Sequence, residues 1–188
     1  MNESAFVNDI IDRYITDEEL KRLLITHSRM VAQKALSIAR EYSGPESAPD
    51  LQFVYDAAML HDIGIVKCDA PSIHCHGSLP YICHGIAGAE ILRGEGLDER
   101  FARVCERHTG SGITRQDIIT QHLPLPPGDY LPESIEEKII CYADKFFSKS
   151  GDPTAEKTPE RVEASMRRHG PDAFDRFLKL QKELCQNQ

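Results

Sequence analysis

Apolar residues recur at helical intervals along most of the chain. Phe6, Val7, Ile10, Ile11 and Tyr14 predict a helix over 4–14. Thr16-Asp-Glu-Glu19 has the form of a capping box opening a short helix through Leu20, Leu23 and Leu24. The longest pattern covers 27–42, where Val31, Ala35, Ile38 and Tyr42 share one stripe, and SGPESAP at 43–49 breaks it. Helical spacing resumes over 50–61, then, after a loop with Gly64, Pro71, Gly77 and Pro80, over 84–94, 98–108 and 114–121. The proline-rich stretch 122–133 is too irregular for a helix. Residues 134–148 return to helix with Ile135, Ile139, Ile140, Ala143, Phe146 and Phe147. GDPTAEKTP at 151–159 reads as a linker, and 160–169 and 172–185 as two final, more polar helices. Almost no strand is expected, because no segment alternates cleanly over six positions. The expected fold is all-α and single-domain: a principal unit over 1–150 and a C-terminal helical extension over 151–188, packed on it or peripheral to it.

Polar residues interrupt the apolar faces at particular places. His27 precedes Val31 by four, so it shares that helix's apolar stripe. His61 follows Val54 by seven and Ala57 by four, with Asp62 beside it; His108 follows Phe101 by seven and Val104 by four. Asp144 follows Ile140 by four and precedes Phe147 by three, and His84 opens the helix continued by Gly88 and Leu92. A lone inward histidine is most often a hydrogen-bonded core residue, and an inward aspartate most often caps a helix or forms an ion pair. An uncompensated buried carboxylate is costly. Four separate helices, and a fifth with His84, repeating the pattern call for a shared partner. A metal cation accepts neutral imidazole and carboxylate together and offsets their desolvation.

Composition narrows the setting. The 188 residues carry Lys+Arg 22 against Asp+Glu 30, a net charge of -8, so no global basic field favours nucleic acid. No apolar run reaches the roughly 18–20 residues of a membrane span, and the acidic N-terminus does not read as a secretory leader. The six cysteines are expected as reduced thiols in a cytoplasmic protein. Three of them, Cys68, Cys75 and Cys83, share a loop with His74 and His76. The loop allows three readings: a small zinc site with spacings unlike established zinc patterns, pocket lining by His74 or His76, or ordinary loop residues. His122 and His169 are expected at the surface, and Tyr130 as part of a mobile cover over the pocket.

The ordered set His27, His61-Asp62-Ile63-Gly64, His84, His108 and Asp144 resembles the HD-domain metal-dependent phosphohydrolase superfamily in its six-ligand, two-metal subtype. The surrounding words HSRMVAQKALSIA, AAMLHDIG, HGIAGAEIL, ERHTG and EEKIICYADKF extend the resemblance over roughly 20–150. Within the superfamily the chain is similar to HDIG hydrolases and to symmetric dinucleoside tetraphosphate hydrolases, the latter with a similar HG-x-x-GA and RHT region. The resemblance implies an all-α helical bundle holding one or two divalent ions: Fe, Mn, Co, Ni or Zn. His27, His61, Asp62 and Asp144 would hold the first ion, and His84, His108 and a bridging Asp62 the second. Asp62, His84 and His108 would form the catalytic set. The implied reaction is hydrolysis of a phosphoester or phosphoanhydride of a small metabolite, foremost a nucleotide, by a metal-activated water.

Many family members carry Lys or Arg directly after the glycine; here the residue is Ile65, and Lys67 two places on is a candidate replacement. Arg107, Lys145 and Thr109 are further candidates for substrate contact, and Gly110 and Gly112 for a tight loop beside the pocket. The competing functions are a di-iron oxygenase on the same cradle and a nucleotide-binding sensor without turnover. Helical proteins of this kind often pair, so a homodimer is compatible with the sequence, although no apolar stripe demands it.

Overall fold

The structure, a computed structural model, describes residues 4–185. Its elements are α1 (Ala5–Tyr14), α2 (Glu18–Glu41), α3 (Leu51–Leu60), α4 (His84–Gly94), α5 (Glu99–Arg107), α6 (Arg115–Gln121), α7 (Ile135–Asp144), α8 (Pro159–Arg167) and α9 (Pro171–Leu184). The only strands among the described residues are β1 (Asp69–Ala70) and β2 (Cys75–His76), an antiparallel pair. The all-α class holds. No helix among the described residues is long and apolar enough to cross a membrane.

Two predicted helices merge into one. Leu20, Leu24, His27, Ser28, Val31 and Ala35 are all buried along α2, a continuous stripe in which His27 and Ser28 are the polar members. They interrupt its apolar reading without bending it. The N-cap is Asp17, whose side chain accepts from the backbone N–H of Leu20, in place of the predicted Thr16 capping box. A reciprocal capping box forms instead at α6, between Thr114 and Asp117. Helix α7 stops at Asp144, four residues short of the expected end.

Helix α2 packs on α3 and α7; α4 packs on α5 and on the 3-10 turn Ile63–Lys67. That last approach is between backbones. A Cβ on Gly64 would lie 2.1 Å from the His84 carbonyl oxygen and 2.3 Å from the Gly88 nitrogen. The glycine of His-Asp-Ile-Gly therefore lets Asp62 and His84 meet. The C-terminal helices are not separate from this core: Val162, Met166, Phe174, Phe177, Leu180 and Leu184 join the same buried cluster as Val31, Leu60 and Ile140.

Candidate metal centre

Three of the four clustered histidines end a helical turn, and this fixes their tautomers. His61 follows α3, His108 follows α5, and His84 follows the 3-10 turn Tyr81–Cys83. The last carbonyls of a helix lack intrahelical partners. Each ring folds back on the carbonyl three residues earlier. His61 Nδ1 meets Ala58 O at 2.6 Å, His84 Nδ1 meets Tyr81 O at 2.7 Å, and His108 Nδ1 meets Cys105 O at 2.8 Å. A carbonyl only accepts, so Nδ1 donates in all three and Nε2 is the atom turned to the centre. Donation of the second ring nitrogen to a carbonyl is the usual support of a metal-bound histidine.

Those Nε2 atoms converge on Asp62, which is fully buried, and its two oxygens divide the site. Oδ2 lies 3.3 Å from His27 Nε2 and 2.9 Å from His61 Nε2. Oδ1 lies 3.5 Å from His84 Nε2 and 3.4 Å from His108 Nε2. Asp144 Oδ1 completes the first side, 3.1 Å from His27 Nε2 and 3.5 Å from His61 Nε2. The ligand atoms of His27, His61, Asp62 and Asp144 all lie within 4.8 Å of one another, as do those of Asp62, His84 and His108. These are the two groups implied by the resemblance, sharing Asp62.

The donor set fits a cation. Neither Asp62 oxygen nor His61 Nε2 has a hydrogen bond of proper geometry, although all are buried. His84 and His108 bring their Nε2 atoms within 3.0 Å. With both Nδ1 atoms donating, two lone pairs face each other, an arrangement that needs a cation between them. Burial, reinforced by the neighbouring His108, pushes His84 down to about 3, and burial also lowers His108. Both imidazoles stay neutral and ligand-ready. Burial lowers His61 too, but the neighbouring Asp62 and Asp144 carboxylates outweigh it and carry the group up to about 9. Desolvation opposes ionisation of Asp62 and Asp144. His61 and Lys149 beside Asp62, and Lys145 and His27 beside Asp144, hold both carboxyls well below the usual range.

The other expected contacts divide. Thr109 Oγ1 is 3.5 Å from His84 Nε2, and Lys145 Nζ is 2.8 Å from Asp144 Oδ2 and 2.9 Å from the His108 carbonyl. Both stand at the centre. Arg107 does not: it is engaged by Glu133 at 2.8 Å, Glu137 at 3.4 Å and the Leu131 carbonyl at 3.1 Å, and it clamps the 131–137 segment. Lys67 is exposed at the end of its 3-10 turn and lines neither cavity that reaches Asp144, so it does not stand in for the basic residue that Ile65 displaces. Tyr130 is no cover. Its backbone pairs with Ile113, and its hydroxyl donates to the Pro126 carbonyl. The loop cysteines and histidines form no metal-ligating group among the described residues. His74 lines a cavity with Lys149, His76 is exposed, and His122 and His169 are exposed as expected.

Lys149 is the site residue that periodicity did not reveal. Its Nζ lies 2.6 Å from Asp62 Oδ2, with only 13% of the side chain exposed. Burial opposes its charge, but Asp62 and Asp144 outweigh that and raise its pKa. Tyr81, which bonds to Lys149, also stacks on the His84 ring with centroids 4.8 Å apart. Its signal in the sequence was slight: a lysine five residues beyond Asp144, in a polar Ser-Lys-Ser run.

A helical bundle that gathers four histidines and two aspartates from five segments into two groups able to hold a metal ion marks a metal-binding class of helical domain. The chain belongs to the HD domain family, whose model matches residues 24–148. It is 35% identical over 161 residues to a tRNA (cytidine(56)-2'-O)-methyltransferase of Thermoplasma volcanium, covering 86% of this chain and 41% of the relative. The corresponding methyltransferase of Picrophilus torridus is 35% identical over 190 residues, 98% of this chain and 49% of the relative. The chain thus spans less than half the length of either. An uncharacterized protein of Methanocaldococcus jannaschii, MJ0778, is 39% identical over 124 residues, 66% of each chain. Among solved structures, the HD domain of the L. monocytogenes phosphodiesterase PgpH has the same fold. Its TM-score is 0.54 at 16% identity, over 95% of this chain and 85% of that one.

Proposed function

We propose that this chain is a metal-dependent phosphohydrolase acting on a phosphoester or phosphoanhydride of a small metabolite, a nucleotide foremost. The observation that carries the reading is the pair of ligand groups sharing Asp62, each presenting imidazole Nε2 atoms and carboxylate oxygens within 4.8 Å of one another. His27, His61, Asp62 and Asp144 would hold one divalent ion, and Asp62, His84 and His108 a second. Mixed imidazole and carboxylate ligation suits Fe, Mn, Co, Ni or Zn. Such ions supply Lewis acidity, stabilising phosphoryl charge and acidifying water.

The chain's own groups supply the rest. Lys145 and Lys149 put two ammonium charges beside the carboxylates, where phosphate oxygens can accept charge-assisted hydrogen bonds. Thr109 adds a hydroxyl next to His84. In the hydrolysis, the oxygen of water bonds to phosphorus, the bond from phosphorus to the leaving oxygen breaks, and that oxygen takes up a proton. The catalytic set is Asp62, His84 and His108, with Lys145, Lys149 and Thr109 as substrate contacts.

A second reading comes from the relatives. Two carry the name tRNA (cytidine(56)-2'-O)-methyltransferase, which favours a role on tRNA. A net charge of -8 and a metal cradle without a part in methyl transfer favour hydrolysis for this chain.

The test loads the protein with Mn, Co, Ni, Fe or Zn and measures phosphate release from nucleoside mono- and polyphosphates, dinucleoside tetraphosphates and p-nitrophenyl phosphate. Release is expected with at least one metal, and Asp62→Ala should lose both metal and activity. Full metal loading without release from any compound sinks the reading. Methyl transfer from S-adenosylmethionine to tRNA would establish the second one. Substrate-dependent oxygen uptake would point to the oxygenase, and tight nucleotide binding without product to the sensor.

A further inference from the structure

A cavity of about 270 Å³ opens beside Asp144 and Lys145, and one of its walls comes from α8 and α9, beyond the segment shared with the HD family. Val162 and Met166 face it from α8, and Arg176 from α9. Ile82, Ile113 and Leu123 supply apolar surface from the principal unit, and Phe147 lies near Asp144. We infer that this cavity is a nucleoside pocket, and that α8 and α9 select which phosphorylated compound reaches the metal centre. The placement of the phosphate rests on the hydrolase reading; the pocket itself does not.

Position comes first. Asp144 belongs both to the ligand cluster and to the cavity, and Lys145, 2.8 Å from its Oδ2, lines the cavity beside it, so a phosphate held at the cluster leaves its organic part in the cavity. A second cavity, of about 340 Å³, also reaches Asp144, but Ser72, Ser148, Ser150 and Lys149 line it. Ala70, Ile73, Tyr81 and Phe147 line it too, but Lys149 and the three serines leave its surface more polar than apolar, which suits water and departing phosphate better than a base.

The wall chemistry then names the ligand. Branched aliphatic side chains and a polarisable thioether suit a flat ring. The edge groups suit a heteroaromatic one. Arg176 is fixed by Asp117 at 2.7 Å and by the Gly112 carbonyl at 3.3 Å, yet its buried Nε has no partner. Gln121 at the rim offers an amide that both donates and accepts. A lipid chain would leave these polar groups unpaired, and a bare sugar phosphate would leave the apolar walls uncovered. Charge agrees: Lys145, Lys157 and Arg176 outnumber Asp117 and Asp144 around the cavity, in a chain of net charge -8. Small-molecule pockets run to about 300–1,000 Å³. A volume of 270 Å³ fits one nucleoside and not an oligonucleotide.

The test uses the full chain in EDTA and measures calorimetric binding of the four common nucleoside 5'-monophosphates, ribose 5-phosphate and inorganic phosphate. At least one nucleotide should bind tenfold or more tightly than the latter two. Gln121→Trp, an exposed rim residue enlarged to fill the space, should weaken that nucleotide at least tenfold. Met166→Glu, which puts an anion on the wall, should do the same, and if it fails to fold, Gln121→Trp decides. In the metal-loaded protein, Gln121→Trp should leave bound metal within threefold. No nucleotide preference, or variants within twofold of the parent, overturns the pocket. Turnover of p-nitrophenyl phosphate without nucleotide preference removes the pocket and leaves the hydrolase; a nucleotide preference without phosphate release under any metal does the reverse.

Discussion

At the residue scale, Lys149 would compete with a bound cation for one oxygen. Its ammonium touches Asp62 Oδ2, the atom that faces His27 and His61. Lys149→Ala therefore removes a competitor as well as a phosphate donor. Bound metal, counted by mass spectrometry, should stay level or rise. A charge-assisted hydrogen bond contributes about 1.5–3 kcal/mol, so kcat/KM should fall roughly 10- to 100-fold. A variant that loses metal would show that Lys149 supports the ligands instead. The cysteines give a second prediction at this scale. Burial pushes Cys75 and Cys141 up to about 11 and Cys68 up to about 12, and it raises Cys83 and Cys105. Thiolate is the reactive form, so at pH 8 iodoacetamide should label native protein at Cys185, the one cysteine that is not buried. Rapid labelling of the other five without denaturant would contradict their burial. Of the six clustered residues, Asp62 and His84 came from the family resemblance; His27, His61, His108 and Asp144 were legible in the sequence because each puts a polar side chain at an apolar position of its helix. Lys149 was not, because beyond the end of α7 no period says which way a side chain faces. Arg107 was misread for a related reason: adjacency to His108 in sequence says nothing about the Glu133 and Glu137 carboxylates that draw it away.

At the element scale, the centre depends on how closely α4 approaches the turn after Asp62. Gly64 and Gly88 make that contact, and a Cβ on Gly64 would strike three backbone atoms that no side-chain rotation can clear. Gly64→Ala should therefore lie at the upper end of overpacking costs, about 3 kcal/mol, and it should separate Asp62 from His84. Thermal denaturation would show the loss of stability. Metal titration would show weaker binding on the His84–His108 side than on the His27–Asp144 side. Equal weakening of both groups would mean that the 3-10 turn shifts as a unit. The same contact explains a limit of pattern reading. Periodicity located α3, α4 and α5 nearly to the residue, yet it divided α2 in two. His27 and Ser28 occupy core positions of one continuous stripe, and their polarity, which serves the site, hides the helix that carries them.

At the scale of the whole molecule, α7 links the metal centre to the C-terminal helices. It ends in Asp144, and Tyr142, two residues earlier, stacks on Phe177 of α9 with centroids 5.5 Å apart. The apparent polarity of the last two helices misleads, because four apolar residues of α9 (Phe174, Phe177, Leu180 and Leu184) are enough to bury one face. Phe177 is 1% exposed, and Phe177→Ala should cost about 3–5 kcal/mol. At roughly 2–4 °C per kcal/mol for a chain of this size, its Tm should fall by about 10 °C. Phe177 touches no candidate ligand, however, and binding to the native state alone adds stability set only by affinity and free metal. The Tm gain on adding Zn or Mn should therefore be similar in Phe177→Ala and in the parent, since separated sites contribute additively. A much smaller gain in the variant would mean that packing on α9 tunes the Asp144 carboxylate through α7. The C-terminal helices would then govern metal affinity as well as the shape of the cavity beside it.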